Sequence, residues 1–169
     1  MLKFSKVIII LLVFLTACSK GEKKDISVIE EQDIEKQMIK AYNEGLEALE
    51  SGDSLFAAKK FNEAELSFPQ SVWAERSAIM AGYSYYVQDY YGDAIYTLEQ
   101  FIKTYPNSKN IGYAEYLLAV CYYEKIVNEK KDLKPLIEAK KRFEIILNKY
   151  PNSDFSLDAK FKLDLIENI

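Results

Sequence analysis

The chain has 169 residues with 22 basic and 26 acidic side chains, a formal net charge of −4, and no histidine. The acidic balance argues against a nucleic-acid partner, and the lack of histidine removes Ser-His and Cys-His nucleophile pairs, imidazole metal sites and the commonest general base. The six glycines are scattered singly and form no phosphate-binding loop. We therefore predict no catalytic residue, no metal site and no cofactor.

The first residues read as a secretory signal. Lys3 and Lys6 precede an apolar run over residues 7–15 that is too short for a permanent membrane-spanning helix. The run leads into residues 15–18 (LTAC), which resemble the bacterial lipobox, where the cysteine thiol is lipidated and the signal is cleaved. The alternative is an ordinary secretory signal with a cysteine nearby by chance.

We predict a signal peptide over residues 1–17, lipidation of Cys18 and a polar tether over residues 18–32. Acyl chains hold a domain at a bilayer because each buried methylene contributes about 0.8 kcal/mol. Ser19 is not the aspartate that resembles an inner-membrane retention signal. The predicted location is the outer membrane, with the lipid-anchored chain facing the periplasm.

Cleavage of the signal would leave 20 basic and 26 acidic side chains, a net charge near −6, because residues 1–17 hold two lysines and no acid. Cys121 would then be the only cysteine besides the lipidated Cys18. We therefore expect no intramolecular disulfide, and we expect Cys121 to pack as a small hydrophobic residue.

Three prolines mark an internal repeat. Pro69, Pro106 and Pro151 occur in the segments FPQS, YPNS and YPNS and lie 37 and 45 residues apart. Small or apolar residues recur with helical spacing five, eight and twelve positions before each proline. These residues are Ala64, Phe101 and Ile146, then Phe61, Leu98 and Phe143, then Ala57, Ala94 and Ala139.

The spacing resembles the tetratricopeptide repeat, most closely over residues 81–108. We predict an all-α fold, a right-handed tetratricopeptide-repeat solenoid of about three helix pairs plus a terminal helix. The predicted domain covers residues 33–169, with repeats at about 38–71, 75–108 and 112–153 and the terminal helix at 155–169.

Small residues are expected to bring the two helices of each pair close together. Gly45, Gly82 and Ala119 follow one another at steps of 37 residues. We expect Gly45 and Gly82 to face Ala57 and Ala94 of the second helices, since larger residues there would pry the helices apart.

Turn chemistry predicts where the helices end. Gly52 suits a left-handed turn, and Asp53 can cap the helix that follows. In the second repeat we expect residues 89–93 to play this part, with Gly92 and Asp93 directly before Ala94. Each proline prevents its helix from continuing, and the Ser of each FPQS or YPNS segment can cap the next pair.

The third repeat carries eight extra residues within residues 125–135. This stretch is rich in Lys, Glu and Asn and ends in Pro135, which predicts a longer exposed turn; a functional loop is the alternative. In the terminal helix Leu157, Phe161 and Leu165 form one stripe, and Asp164 replaces the small residue of the other repeats. That helix is either a solvating cap or the start of a truncated array.

The first helices of such repeats line the concave surface, where we expect ligand contacts. The positions predicted to face a ligand are Tyr42, Leu46, Leu49, Arg76, Ile79, Tyr83, Tyr86, Tyr113, Tyr116 and Tyr123. Tyrosine, present 13 times, suits the gripping of an extended peptide. Tyr85 and Tyr122 are expected in the core, and for any single tyrosine packing is as good an interpretation as binding.

The lipobox, the tether and the lengthened repeats together resemble the BamD family, the tetratricopeptide lipoproteins of the outer-membrane β-barrel assembly machinery. Residues 51–75, 101–123 and 150–165 carry this resemblance. It implies a non-enzymatic role in which the N-terminal repeats bind unfolded outer-membrane proteins through a C-terminal β-signal. It also implies that the C-terminal repeats, of which about two typical of the family are absent here, dock onto the barrel-forming subunit and its other lipoproteins.

The resemblance also places the signal contact at Phe68 and Ser71, with Leu55 on the adjoining helix, where the family has tyrosine, glycine and a basic residue. The complete predicted peptide-binding set is Leu55, Phe68, Ser71, Arg76, Tyr83, Tyr86, Tyr116 and Tyr123. Another hypothesis is an anchored repeat protein that scaffolds a pilus, cell-division or cell-wall complex, since the fold fixes no partner. A cell-wall enzyme ranks behind both, because it would need a catalytic carboxylate in a cleft.

Overall fold

Seven α-helices and no strand make up the residues that the structure, a computed structural model, describes: the backbone of residues 28–128 and 133–168 and the side chains of 33–125 and 133–168. The helices are α1 Val28–Glu50, α2 Ser54–Ser67, α3 Val72–Tyr86, α4 Tyr91–Thr104, α5 Ile111–Asn128, α6 Lys134–Lys149 and α7 Ser156–Glu167. The predicted signal peptide, Cys18 and most of the predicted tether lie outside the described residues; α1 begins at Val28, inside the region predicted as tether.

Consecutive helices from α2 to α7 pack on one another, and α3 also contacts α5, the first helix of the next pair. Residues 32–169 belong to one compact unit. The prediction of an all-α fold built from packed helix pairs with a terminal helix is confirmed. None of the described helices combines the length and apolarity needed to cross a membrane.

The core lies where the proline-based spacing predicts it. All nine residues found five, eight and twelve positions before the prolines are at most 1% exposed. Phe61, Leu98 and Phe143 are among the largest fully buried side chains, so one bulky residue per second helix fills the space between helices. Cys121 is also fully buried, which confirms that it packs as a hydrophobic residue.

The close approach of a second helix to Gly45 and to Gly82 is confirmed, but the predicted contact residues on the second helices are wrong. A β-carbon on Gly45 would lie 2.8 Å from the Phe61 ring, and one on Gly82 would lie 2.8 Å from Leu98. Phe61 and Leu98 stand one helical turn beyond the expected alanines. The glycines therefore make room for a bulky side chain on the second helix rather than for contact with an alanine.

The turn between α1 and α2 has the conformation that the sequence predicts. Gly52 adopts φ +86°, the left-handed conformation that glycine takes without steric cost. The Asp53 carboxylate accepts a hydrogen bond from the Phe56 backbone N–H at 3.1 Å and so caps α2. The helices α2, α4 and α6 each end two residues before a proline, as expected.

The second turn falls within the predicted residues 89–93, but Gly92 and Asp93 do not form it, because they lie inside the first turn of α4. The chain instead reverses at Asp89, which has φ +61°. Tyr91 donates its hydroxyl to Asp89 Oδ1 at 2.6 Å. An aspartate tolerates the left-handed conformation better than most residues, so this turn needs no glycine.

The insertion of the third repeat is not one long turn. Helix α5 continues to Asn128, and α6 begins at Lys134 with Pro135 buried in its first turn, where a missing N–H is tolerated. The prediction of a turn over residues 125–135 is therefore wrong at both ends. Residues 129–132 lie outside the described part of the chain.

Candidate peptide-binding surface

Six aromatic residues from the second and third repeats and the start of the terminal helix form what we call the aromatic strip: Tyr83, Tyr86, Tyr91, Tyr113, Tyr116 and Phe155. The Tyr86 ring centroid lies 6.3 Å from that of Tyr83 and 6.2 Å from that of Tyr91. Phe155 stacks on Tyr116 at 5.1 Å and lies 6.5 Å from Tyr113. The rings are only partly buried, so they offer apolar faces to a ligand while packing on the helices beneath.

The two halves of the strip meet between α3 and α5. The hydroxyl groups of Tyr83 and Tyr86 lie close enough to Tyr113 to contribute to its raised pKa, of which burial is the main cause. Tyr113 is 38% exposed, so it is open to solvent between the two halves. The repeat spacing thus brings side chains from distant parts of the sequence into one surface.

Four tyrosine hydroxyl groups of the strip, those of Tyr86, Tyr91, Tyr113 and Tyr116, are protonated at neutral pH. Burial raises the pKa of Tyr91 and Tyr116, and their hydrogen bonds to Asp89 and Asp158 raise it further. Tyr116 donates its hydroxyl to Asp158 Oδ2 at 2.6 Å. Burial also raises the pKa of Tyr86, helped by the nearby Glu124 carboxylate. The strip therefore offers neutral aromatic rings beside carboxylates.

Phe68 and Ser71 lie together at the end of the first repeat. Phe68 packs against the buried cluster of Met38, Ala41 and Ala64. The Ser71 hydroxyl accepts a hydrogen bond from the Ala74 N–H at 3.1 Å and so caps α3, as its position in the FPQS segment predicts. Both residues thus have structural roles here, and their contact with a ligand stays a prediction.

Leu55 does not join Phe68 in one site. Leu55 lies in the first turn of α2, and Phe68 directly follows its last turn. About 20 Å of helix therefore separates them. Leu55 is 44% exposed. Leu55 thus lies on the helix that adjoins Phe68 but at its far end, and its contact with a ligand stays a prediction.

Other predicted contact residues prove to be packed. Ile79 is only 7% exposed and belongs to the core, which corrects its assignment to the ligand-facing surface. Tyr42, with its ring 5.4 Å from Phe61 and 5.1 Å from Trp73, joins Leu46 and Leu49 in packing against the core of the first repeat. Tyr85 and Tyr122 also pack against buried clusters, as expected.

Arg76 and Tyr123 make their ring and cation contacts with residues outside the strip. The Arg76 guanidinium lies 5.3 Å from the Trp73 ring centroid. Tyr123 meets Phe143 edge to face at 6.4 Å, while Lys162 lies over its ring at 5.4 Å. Of the predicted peptide-binding set, Tyr83, Tyr86 and Tyr116 belong to the strip.

Sequence reasoning missed Tyr91 and Phe155 as members of the strip. Tyr91 opens a second helix and Phe155 precedes α7, so neither occupies the periodic positions of a first helix. Their aromatic character was the only available signal. Within the described ranges, no group of three or more Cys, Asp or Glu side chains is arranged to hold a metal ion.

The chain matches known proteins over most of its length. Residues 34–169 match the family YfiO, described as an outer membrane lipoprotein. The chain is similar to the outer membrane protein assembly factor BamD of Caulobacter vibrioides, 32% identical over 91% of this chain and 49% of the relative. It is 29% identical to the protein of the same name from Rickettsia prowazekii, over 80% of this chain and 54% of the relative.

A third relative, BamD of Neisseria gonorrhoeae, is 27% identical over 88% of this chain and 59% of the relative. The chain thus spans about half the length of the curated relatives it matches. The family match, by contrast, covers all seven described helices except the beginning of α1. On this evidence the chain belongs to the YfiO family of outer membrane lipoproteins.

Proposed function

We propose that this chain is a non-enzymatic binding component in outer-membrane protein assembly, and that its aromatic strip holds extended segments of unfolded outer-membrane proteins. The observation that carries the proposal is the strip itself, a surface of partly exposed aromatic rings in a family whose relatives are named assembly factors. Aromatic rings supply large contact areas with few rotatable bonds, so they bind extended chains with little loss of entropy.

The spacing of the rings supports an extended ligand. Neighbouring centroids lie 6.2, 6.3 and 6.5 Å apart at three steps of the strip. Alternate side chains on one face of a β-strand are about 6.6–6.8 Å apart, since the rise is about 3.3–3.4 Å per residue. An unpaired segment with apolar residues at every second position would therefore meet successive rings.

The anchor and the partners complete the proposal. Lipidation of Cys18 would hold the domain at the outer membrane on its periplasmic side, where unfolded outer-membrane proteins arrive. The partners that we propose are the barrel-forming subunit of the assembly machinery and its other lipoproteins. The pair Phe68 and Ser71 would add a second contact for the substrate at the end of the first repeat.

Photocrosslinking in cells tests this function. A benzophenone amino acid at Tyr83 or Tyr113 should capture outer-membrane protein precursors. The same label at Phe56, an exposed aromatic residue on α2 outside the strip, is the matched control and should not. Capture of pilus, cell-division or cell-wall proteins alone from the strip positions would refute the proposal and favour a different envelope complex.

A binding measurement with purified protein gives the second test. Tyr113→Ser should weaken binding of an unfolded outer-membrane protein segment about tenfold, since one aromatic contact contributes roughly 1–2 kcal/mol. Phe56→Ser should leave the affinity unchanged. Equal affinity of both variants and the parent protein would show that the strip is not the binding surface.

A further inference from the structure

A cavity of about 560 Å³ lies between the second helices α2 and α4, with α3 beneath it. Its lining contains no residue of the aromatic strip. Leu66 of α2 and Tyr96 of α4 line it and are 76% and 67% exposed. The buried Ala78 and Phe101 also line it. Two large apolar side chains thus stand open to solvent beside an apolar depression.

The same cavity is lined by two carboxylates and no basic residue. Asp93 lies in the first turn of α4 and forms no hydrogen bond or ion pair with the other described side chains. Glu65 receives one hydrogen bond, from the Tyr105 hydroxyl to Oε1 at 3.0 Å. Burial raises the pKa of Glu65, and this hydrogen bond opposes the rise only in part.

Two other partly buried carboxylates of the domain have a cation beside them. Glu115 pairs with Arg142 at 2.6 Å, and Glu44 pairs with Lys60 at 2.7 Å. Glu65, which is partly buried, lacks such a partner among the described residues, although a carboxylate that loses water gains most from an ion pair. Asp93 is exposed and adds a second negative charge to the lining. The cavity is therefore complementary to a positive charge that the described residues do not provide.

We propose that this cavity binds a lysine or arginine side chain presented by a short extended segment of a partner protein. The aliphatic stem of such a side chain packs along Leu66 and Tyr96 while its charged end meets one of the two carboxylates. Asp93 lies in the first turn of α4 and Glu65 is bonded to Tyr105 beyond its last turn, so one cation pairs with only one of them. The Tyr96 ring adds a favourable face for the cation. The cavity extends along α4 from Asp93 to Gln100, about 10 Å, which matches roughly three extended residues.

This site is independent of the proposed function, because it uses the second helices and none of the strip residues. It implies that the chain engages a basic segment through α2 and α4 while the strip remains free. If the aromatic strip bound no ligand, the proposal for the cavity would be unaffected. If the cavity bound no basic side chain, the proposed function of the strip would be unaffected.

Peptide titrations of the purified chain followed by NMR test the proposal. The probe is N-acetyl-Leu-Arg-Leu amide, together with the peptides that carry Lys, Gln or Glu at the central position. We expect the Arg and Lys peptides to shift backbone resonances around Leu66, Tyr96 and Gln100, with affinity that falls as salt increases. The Glu peptide should not bind, and the Gln peptide should bind at least fivefold more weakly than the Arg peptide.

Variants separate charge recognition from a general apolar groove. At least one of Asp93→Asn and Glu65→Gln should weaken binding of the Arg peptide about fivefold, whereas Asp164→Asn, a change at an exposed carboxylate on α7, should have no effect. Circular dichroism verifies that each variant is folded. Equal binding of the Gln and Arg peptides, shifts confined to other helices, absence of any shift, or unchanged affinity in both cavity variants would overturn the proposal.

Discussion

The Phe61 ring occupies the space beside Gly45, 2.8 Å from where a β-carbon would lie. Phe61 is fully buried and also meets Tyr42 edge to face at 5.4 Å, so its ring has little freedom to move. The first helix pair therefore depends on the absence of a side chain at residue 45.

Gly45→Ala should destabilise the protein. Alanine improves helix propensity by about 1 kcal/mol, but the overpacking against Phe61 costs about 1–3 kcal/mol. We expect the net loss to appear as a lower urea midpoint. Gly92→Ala is the control, since no atom lies within 4 Å of its β-carbon position, and it should be neutral or stabilising. A Gly45→Ala variant as stable as the Gly92→Ala variant would contradict the packing argument.

Arg142→Ala should destabilise the third repeat strongly. Arg142 binds Glu115 at 2.6 Å and Glu99 at 3.4 Å, and its guanidinium lies over the Tyr122 ring. The side chains of Arg142 and Glu115 are only 17% and 14% exposed, so the substitution leaves a poorly hydrated carboxylate without its partner. We expect a loss of about 2–4 kcal/mol in the free energy of unfolding.

The control for this prediction is Lys140→Ala, also on α6, which removes an exposed ion pair with Glu167 of α7. Exposed pairs contribute at most about 1 kcal/mol, so this variant should change stability little. Similar losses for both variants, measured by urea unfolding, would show that burial of the Arg142 pair is unimportant.

Glu65 should make stability depend on pH. Its pKa is raised above 4.5 in the folded protein, mainly by burial. Between pH 4.5 and the folded pKa, the folded chain binds more protons than the unfolded chain, so the free energy of unfolding falls as pH rises through this window. Below pH 4.5 both states hold the proton and the full stabilisation is present.

Glu65→Gln removes this contribution. The variant should gain stability relative to the parent protein as pH rises from 4 to 7, with the difference smallest at pH 4. Thermal unfolding at both pH values measures the change. A stability difference that does not vary with pH, or that varies in the opposite direction, would contradict the raised pKa.

Cys121 should be chemically inert in the folded protein. The thiol is fully buried, and burial raises its pKa to about 12, so little thiolate exists at pH 8. In a Cys18→Ser chain, Ellman's reagent should react with Cys121 only at the rate of unfolding, and at once in 6 M guanidinium chloride. Rapid reaction of the folded chain would show that the thiol is accessible.

The sequence determined the helix pairs, the buried positions and several helix ends by itself, because these depend on local chemistry. Proline stops a helix wherever it follows one, and Asp53 and Ser71 cap the nearest N–H groups, so short segments are enough to predict them. Recurrence at fixed offsets from the prolines likewise identified Phe61, Leu98 and Phe143 as core.

Only the tertiary structure decided which distant side chains meet. The pairing of Gly45 with Phe61, the entry of Tyr91 and Phe155 into the aromatic strip, and the placement of Glu65 and Asp93 in the lining of one cavity all join different helices. Such contacts depend on the rotation and separation of packed helices, which the spacing of residues within one helix does not specify.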